Sequence, residues 1–594
     1  MSSSSSSRAS SLSSAAVTDH YDAIVIGAGH NGLTCACYLA KAGLRVLVVE
    51  QHSSIGGMTI TEEVTLPSFK SDVHAYGYQL ANFSPAPTEL ELDQYGFELL
   101  YPEPSISHLF PSSSYAHDDE DHGGRIISMY KDVNKTIKSI EKYSTKDAHT
   151  WEKMFKSYLH NDKNNIIHSL NSPPSNSPLL LPSYSSSSPD LNKQTNLENK
   201  QVLDLTLDSE YRSKVRSLRS WCNEYFESEE AKVFFGAWPA HVCASPDDAG
   251  GGNLAYLFSV LVQDGGNNVV KGGMINLPLA LSRYLQASGG RIITGSGVSK
   301  IIINNKDRKA VGIRLDNGRE IAIRQLVVSS IDPITLVFNL IGQEYFDSST
   351  IQSLKRYEWG DAILTMYLAL DSQMKYNISS SEALQSTHVH LSEPSLDYFA
   401  KVFYECRSGK LPSEPFIIAS NDSIADPSRA PTGMHLMKFL LPGIPYKIKL
   451  YNNSENHTKR QEDQTKKKNN YDYDWSEIKN EYSDKIIEMV SEKYIPNLKS
   501  ILKKKVVYSP IDLEKNPTTS VRGTLSCGAM LPYQIFSMRP IPQFSGYRIP
   551  DISNVYVCGS ANHPGPGVSM APGRNAAQVI YADLGLDFKN LAIQ

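Results

Sequence analysis

The stretch Asp22–Gly57, DAIVIGAGHNGLTCACYLAKAGLRVLVVEQHSSIGG, decides how the rest of the chain is read. Ala23–Ile26 is short, apolar and β-branched, the composition of a strand covered on both faces of a parallel sheet. Gly27-Ala28-Gly29-His30-Asn31-Gly32 follows at once. In such a turn the first glycine permits the tight bend and the second admits a pyrophosphate to the backbone. The third lets the next helix pack closely on the strand. Phosphate oxygens would rest on the amides that open the helix, where the macrodipole favours negative charge. Leu33, Ala36, Leu39 and Ala40 give that helix an apolar face, and Gly43 suits the position just past its end. Val46, Val48 and Val49 form a second strand, and Glu50 stands where a carboxylate would hold a ribose hydroxyl. A carboxylate there disfavours a 2′-phosphate, so NADP is not the expected ligand. Gly56-Gly57 adds a second glycine turn. With strand, turn, helix, strand and acid in this order, the pattern specifies a dinucleotide site far better than three glycines alone.

Composition narrows the partners. At 594 residues the chain is long enough for several domains and large cores. An apolar fraction of 40% and a charged fraction of 20% suit a globular protein, and a net charge of −5 gives no general case for nucleic-acid binding. Cys35, Cys37, Cys222, Cys243, Cys406, Cys527 and Cys558 are scattered and contain no CxxC pair. That argues against a disulfide scaffold, a zinc site and a flavin disulfide reductase. No metal site is expected, because the run His117–His122 reads as a solvated acidic loop. No stretch of 18 apolar residues exists, so no transmembrane helix is expected. The first 20 residues are Ser-rich, carry Arg8 and lack a continuous apolar region, so a secretory signal is not expected. A disordered tail and an organellar transit peptide, for mitochondrion or plastid, both remain open for an intracellular protein. Lys466-Lys467-Lys468 reads as solvated surface, with peripheral contact to an anionic membrane as the alternative.

Past Gly57 the sequence leaves the nucleotide fold and returns to it twice. Lys271-Gly272-Gly273-Met274 leads into a helix over Leu277–Leu285, then strands begin at Arg291 and Val298. Ala310–Leu315, Asn317-Gly318 and Glu320–Ile323 read as a hairpin, followed by a separate buried strand from Leu326. Near the C-terminus, Val555–Cys558, the glycine and proline loop Gly559–Val568 and a helix from Gly573 to Leu584 repeat strand, glycine loop, helix. Leu254–Val262 reads as a buried core helix, or as one facing a cofactor or substrate. The expected fold class is therefore α/β (α+β overall), a discontinuous Rossmann-type domain with an inserted α+β substrate domain. The nucleotide domain takes 21–105, 266–335 and 506–594. The substrate domain takes 106–265 and 336–505, with low-complexity insertions at 171–200 and 452–474 and a tail at 1–20.

Taken together, Asp22–Gly57, Lys271–Met274, Ser329–Pro333, Ser509–Glu514, Met538–Pro540 and Cys558–Ala577 resemble the phytoene desaturase and carotenoid isomerase-like FAD flavoproteins. The nearest branch is that of the pyridine nucleotide-disulphide oxidoreductase domain-containing proteins. By that resemblance Gly27, Gly29 and Gly32 would hold the FAD pyrophosphate and Glu50 the adenosine ribose. Gly57 and Met58 would pass near the flavin, and Val298 would meet the adenine. Gly559, Gly567 and Val568 would lie near the isoalloxazine, with Ala28 and Gln51 completing the cofactor-binding set. Gln51 stands where many relatives carry a basic residue, and Val521-Arg522-Gly523 replaces a commoner Gly-Gly stretch. The implied activity is FAD-dependent oxidation, desaturation or isomerisation of a hydrophobic polyene or isoprenoid. An organellar flavin-binding protein of regulatory role and an amine oxidase are the alternatives. No catalytic base is assignable. His563, in the flavin loop, is the best candidate, against its reading as a loop-structuring residue; His74 and Tyr78 are weaker.

Overall fold

The computed structural model describes residues 20–111, 125–174, 214–378, 381–449, 475–515 and 520–593. The acidic loop at 117–122, most of the 171–200 insertion, the 452–474 insertion and the first 19 residues lie outside them.

Strand β1 (Tyr21–Ile26), helix α1 (His30–Lys41) and strand β2 (Val46–Val49) form where the sequence places them. In β2 and in Ala23–Ile26 every side chain is buried, as two covered faces require. Val46–Val49 pairs in parallel with Arg291–Ile293 on one side and β1 on the other; β1 then pairs with Glu320–Ser329, and that strand with Val555–Val557. Five parallel strands thus come from three distant parts of the chain. Helices α1, Asn276–Ala287 and Ala571–Asp583 share one apolar cluster with this sheet, through Leu33, Leu281, Ala576 and Ile580 among others. Expected as two strands, Glu320–Ser329 is continuous. Its first residues pair antiparallel with Lys309–Leu315 in the hairpin, and its last four enter the parallel sheet beside β1. The polar stretch Arg324-Gln325 that suggests a break marks the passage from one sheet environment to the other.

A second seven-stranded sheet runs in the order Leu502–Tyr508, Ala362–Leu370, His435–Ile444, Ile417–Ser420, His388–Leu391, Ile106–Phe110, Arg125–Met129. Side chains alternate between its faces. Ile417, Ala419, Phe439 and Leu441 face the long helix Trp475–Lys493, while Ile418 and Leu440 face helices Glu229–His241 and Gly251–Gly265. Among the described residues no helix is long and apolar enough to cross a membrane.

Candidate functional site

The glycine turns are built as a cradle. Gly27 has φ +96°, and a Cβ there would meet Ser330 Oγ at 2.4 Å; a Cβ on Gly32 would meet the Gly27 carbonyl at 2.2 Å. Any side chain at either position breaks the packing of α1 on the sheet. Gly29 differs: nothing lies within 4 Å of where its Cβ would be, so the space in front of its backbone is open. Gly29 is also the N-cap of α1 and offers no side chain to the first-turn amides, which leaves them for an anionic ligand. The second glycine turn is stitched to the first, with Gly56 N–H donating to the Ala28 carbonyl at 3.0 Å. Glu50 is buried at the end of β2. Its Oε2 accepts the Ala28 amide at 2.8 Å and its Oε1 the His52 amide at 3.0 Å. Two backbone donors fix the carboxylate, and each oxygen keeps a lone pair for a further hydroxyl. The residues present therefore fit a dinucleotide with an unphosphorylated ribose.

From this cradle one cavity of about 450 Å³ runs on through the molecule. Gly27, Gly29, Gly32, Glu50, Gln51 and Val298 line it, and so do Gly57, Met58, Gly567 and Val568. Ala28 and Gly559 stand one layer behind the wall. The amide of Ala28 is spent on Glu50, and a Cβ on Gly559 would strike the Ser330 carbonyl at 2.4 Å, so it is Ser560 that reaches the cavity. His30, on the wall, is pushed down to about 4 by burial, against hydrogen bonding to the Gly567 backbone. That contact ties the first turn of α1 to the C-terminal loop. Val521, in the stretch that departs from the family pattern, also lines the cavity.

The cavity wall also takes in the apolar side chains of Leu80, Val242, Phe258 and Leu525, the polar Gln79, Glu514, Ser520 and Thr524, and the pair Tyr76 and His241. Phe258 belongs to helix Gly251–Gly265, which is both a buried core helix and a cavity wall. Tyr76 Oη lies 2.9 Å from His241 Nδ1, and His241 Nε2 lies 2.7 Å from His390 Nε2. Behind them, His388 and His390 sit two apart on one strand and so share a face, and His108 is the direct cross-strand partner of His390. Sheet register stacks these three, and His241 meets them from the last turn of helix Glu229–His241. Burial pushes His108, His241 and His388 down to about 3 and His390 well below its ordinary value, so all four are neutral at pH 7. Among the described residues no group of histidines, cysteines and carboxylates has the geometry of a metal site.

A buried set of charges anchors this corner. Lys438 donates to the carbonyls of Asp72 at 3.0 Å and His74 at 2.7 Å, and its ammonium lies 5.4 Å from the Tyr76 ring centre. Burial lowers Lys438 to about 8. Arg429, fully buried, lies 3.2 Å from Asp72 and 3.6 Å from Asp422, and its Nε donates to the Lys70 carbonyl. These cations from around the second sheet thereby grip the segment 70–76 that carries Tyr76.

His563 is not on the cavity wall. Its Nε2–H donates to the Ser169 carbonyl at 2.8 Å and the Tyr547 hydroxyl donates to its carbonyl, which pins the C-terminal loop. Burial holds it at about 4. Neither His74 nor Tyr78 lines the cavity. Sequence reasoning misses Tyr76, His241 and His390, although His388-Val389-His390 carries a signal: two histidines at strand period must share a face. All seven cysteines are free thiols and Cys527 alone among them lines the cavity, so no redox-active pair faces it.

Comparison with known proteins agrees with this geometry. Residues 25–89 match the NAD(P)-binding Rossmann-like domain family. Pyridine nucleotide-disulfide oxidoreductase domain-containing protein 2 of Rattus norvegicus is 27% identical over 587 residues, 95% of this chain and 94% of that protein. A limonene dehydrogenase polypeptide of Castellaniella defragrans is 24% identical, covering 95% of each chain. Phytoene desaturase of Fusarium fujikuroi is 24% identical over 96% of this chain and 90% of its own. Among solved structures, an oxidoreductase from Methanosarcina mazei superposes with a TM-score of 0.58 at 17% identity, covering 94% of this chain and 99% of that one. Over nearly its full length the chain is thus similar to proteins named as oxidoreductases and desaturases, and its N-terminal part matches a Rossmann-like domain.

Proposed function

We propose that this chain is an FAD-dependent oxidoreductase that dehydrogenates a hydrophobic, isoprenoid-type substrate. The observation that carries the reading is that the glycine turns and Glu50 line the same cavity as the apolar side chains of Leu80, Val242, Phe258 and Leu525. A nicotinamide cofactor that exchanges between turnovers needs an open site. A bound flavin instead suits a cavity lined from three separate parts of the chain, with residues of Gly27–Met58, Val298 and Gly567–Val568. Bound there, FAD supplies the two-electron chemistry as a hydride acceptor. Gly29 and the first turn of α1 would hold its pyrophosphate, Glu50 its ribose, and Gly567 and Val568 would meet its ring system. Leu80, Val242, Phe258 and Leu525 would exclude water from the reacting carbons and orient an apolar chain beside them. Relatives named for limonene and phytoene, both isoprenoid hydrocarbons, support the substrate class. The test is reconstitution with FAD followed by anaerobic mixing with limonene and with phytoene. Loss of the oxidised flavin band, with a product two hydrogens lighter, is expected. A protein that cannot retain FAD, or a flavin that no isoprenoid reduces, would overturn the reading.

A further inference from the structure

Dehydrogenation of a hydrocarbon breaks two C–H bonds and forms one C=C bond. One hydrogen leaves as hydride with both electrons, to the oxidised flavin; the other leaves as a proton and needs an acceptor. The polar side chains on the cavity wall include Gln79, Glu514 and Thr524. Tyr76 is the one hydrogen-bonded, among the described residues, to a buried pair of histidines, so the acceptor is sought there. Tyr76 and His241 both line the cavity, and Tyr76 Oη lies 2.9 Å from His241 Nδ1. The next contact, His241 Nε2 to His390 Nε2 at 2.7 Å, joins two ring nitrogens. Two lone pairs repel at that distance, so one proton lies between them. With His390 accepting through Nε2, the Tyr76 hydroxyl donates to His241 Nδ1 and the His241 Nε2–H donates to His390. Each link is then set to pass one proton away from the cavity.

We propose, resting on the function argued above, that Tyr76 is the proton acceptor of the dehydrogenation and that His241 and His390 relay the proton inward. Tyr76 Oη bonds the proton leaving the substrate carbon as its own proton passes to His241 Nδ1. The His241 Nε2 proton passes in turn to His390 Nε2. Tyr76 ends as a neutral phenol, His241 as the other neutral tautomer and His390 as the imidazolium. The hydride brings one negative charge into the cavity as the relay gains one positive charge, so the net charge of the buried site does not change. Lys438, 5.4 Å from the Tyr76 ring centre, favours the partial phenolate that forms during transfer. His108 and His388, neutral and packed round His390, add no competing charge. After the product leaves, the proton returns along the same path to water in the emptied chamber.

The test uses the full FAD-loaded chain and its Tyr76→Phe and His390→Gln variants, with limonene and phytoene as probes. Tyr76→Phe is expected to slow anaerobic flavin bleaching by about 10²- to 10⁴-fold, the usual range for a positioned acid or base, with FAD occupancy retained. His390→Gln should lower kcat with KM unchanged and diminish the solvent deuterium isotope effect. A second readout needs no substrate. The proton shared by His241 and His390 should give a far-downfield proton resonance in the wild type, shifted in Tyr76→Phe and absent in His390→Gln. Bleaching of the Tyr76→Phe variant at the wild-type rate, or a downfield region empty in the wild type, would overturn the relay. If no isoprenoid bleaches the wild-type flavin, the proposed function fails first, and the resonance alone decides whether the relay exists.

Discussion

The two ends of the cavity are built by different means. At the cradle end the determinants are backbone: positive φ at Gly27, the open approach at Gly29, the close crossing at Gly32 and the capless start of α1. They come from one continuous stretch, which ends on one buried carboxylate, Glu50. At the chamber end the determinants are side chains from segments scattered over the chain: Tyr76, His241, Phe258, His390, Leu525. No local geometry defines them, and long-range packing alone brings them together. A backbone-built site tolerates no added atom, whereas a side-chain-built site tolerates exchange and can be retuned for a new substrate.

The contrast can be broken first at the cradle. Gly32→Val places branched carbon where even a Cβ would lie 2.2 Å from the Gly27 carbonyl. Flavin binding should be abolished and the fold destabilised by about 3 kcal/mol or more, as overpacking at backbone requires. Absorbance after reconstitution and chemical denaturation measure both effects. A variant that still holds one flavin per chain would show that the cradle is not backbone-limited.

At the chamber end, Arg429→Met removes the buried guanidinium that lies between Asp72 and Asp422 and leaves both carboxylates without it. The expected cost is about 3–5 kcal/mol. Denaturant unfolding should show it. Because the loss falls on the segment that carries Tyr76, flavin occupancy should survive while substrate turnover falls, the reverse of the Gly32→Val pattern.

The histidine cluster makes a pH prediction with a definite sign. His108, His241 and His388 have folded values near 3 against an ordinary value of 6.5, and His390 is lower still. Below 6.5 the unfolded chain binds more protons than the folded one, so stability falls as pH drops, by up to about 1.4 kcal/mol per unit for each histidine. Asp422, raised to about 6 by burial, opposes this between its unfolded and folded values, since there the folded state holds the extra proton. Four histidines outweigh one carboxyl. Unfolding midpoints should therefore decrease steadily from pH 7 to pH 5, and His388→Asn should flatten the slope. A midpoint independent of pH in this range would mean the cluster is solvated or charged.

The smallest effect separates the two histidine locations. His563→Asn loses the hydrogen bond to the Ser169 carbonyl and should cost about 1 kcal/mol of stability. It should leave flavin reduction by an isoprenoid unchanged, because His563 is off the cavity wall. A large kinetic defect in this variant would restore it as a candidate base.

What is legible in the sequence follows the same division. Asp22–Gly57 can be read nearly residue by residue, because glycine spacing and β-branched runs are local consequences of backbone sterics. The placement of Val298, Gly567 and Val568 on the same cavity follows from resemblance, and the strands from Ala362 and His435 from their apolar runs. The break expected inside Glu320–Ser329 is absent because one strand can serve two sheet environments, a tertiary fact that a polar pair mimics as a turn. The Tyr76–His241–His390 corner is invisible for the opposite reason. Its members lie 165 and 149 positions apart and meet only through long-range packing. A search for a base near the flavin loop by sequence proximity leads to His563 instead. The name of the rat relative speaks of a disulfide, yet the free, scattered cysteines of this chain build no such couple beside the cavity.

A crystal structure of the FAD-reconstituted protein tests the cavity's two-part construction most directly. The pyrophosphate is expected on the Gly29 amides, the ribose on Glu50, and the isoalloxazine against Gly567 and Val568 with one face open toward Tyr76 and Phe258. An isoalloxazine turned away from that chamber, or a cradle filled by a nicotinamide dinucleotide in preference to FAD, would contradict it.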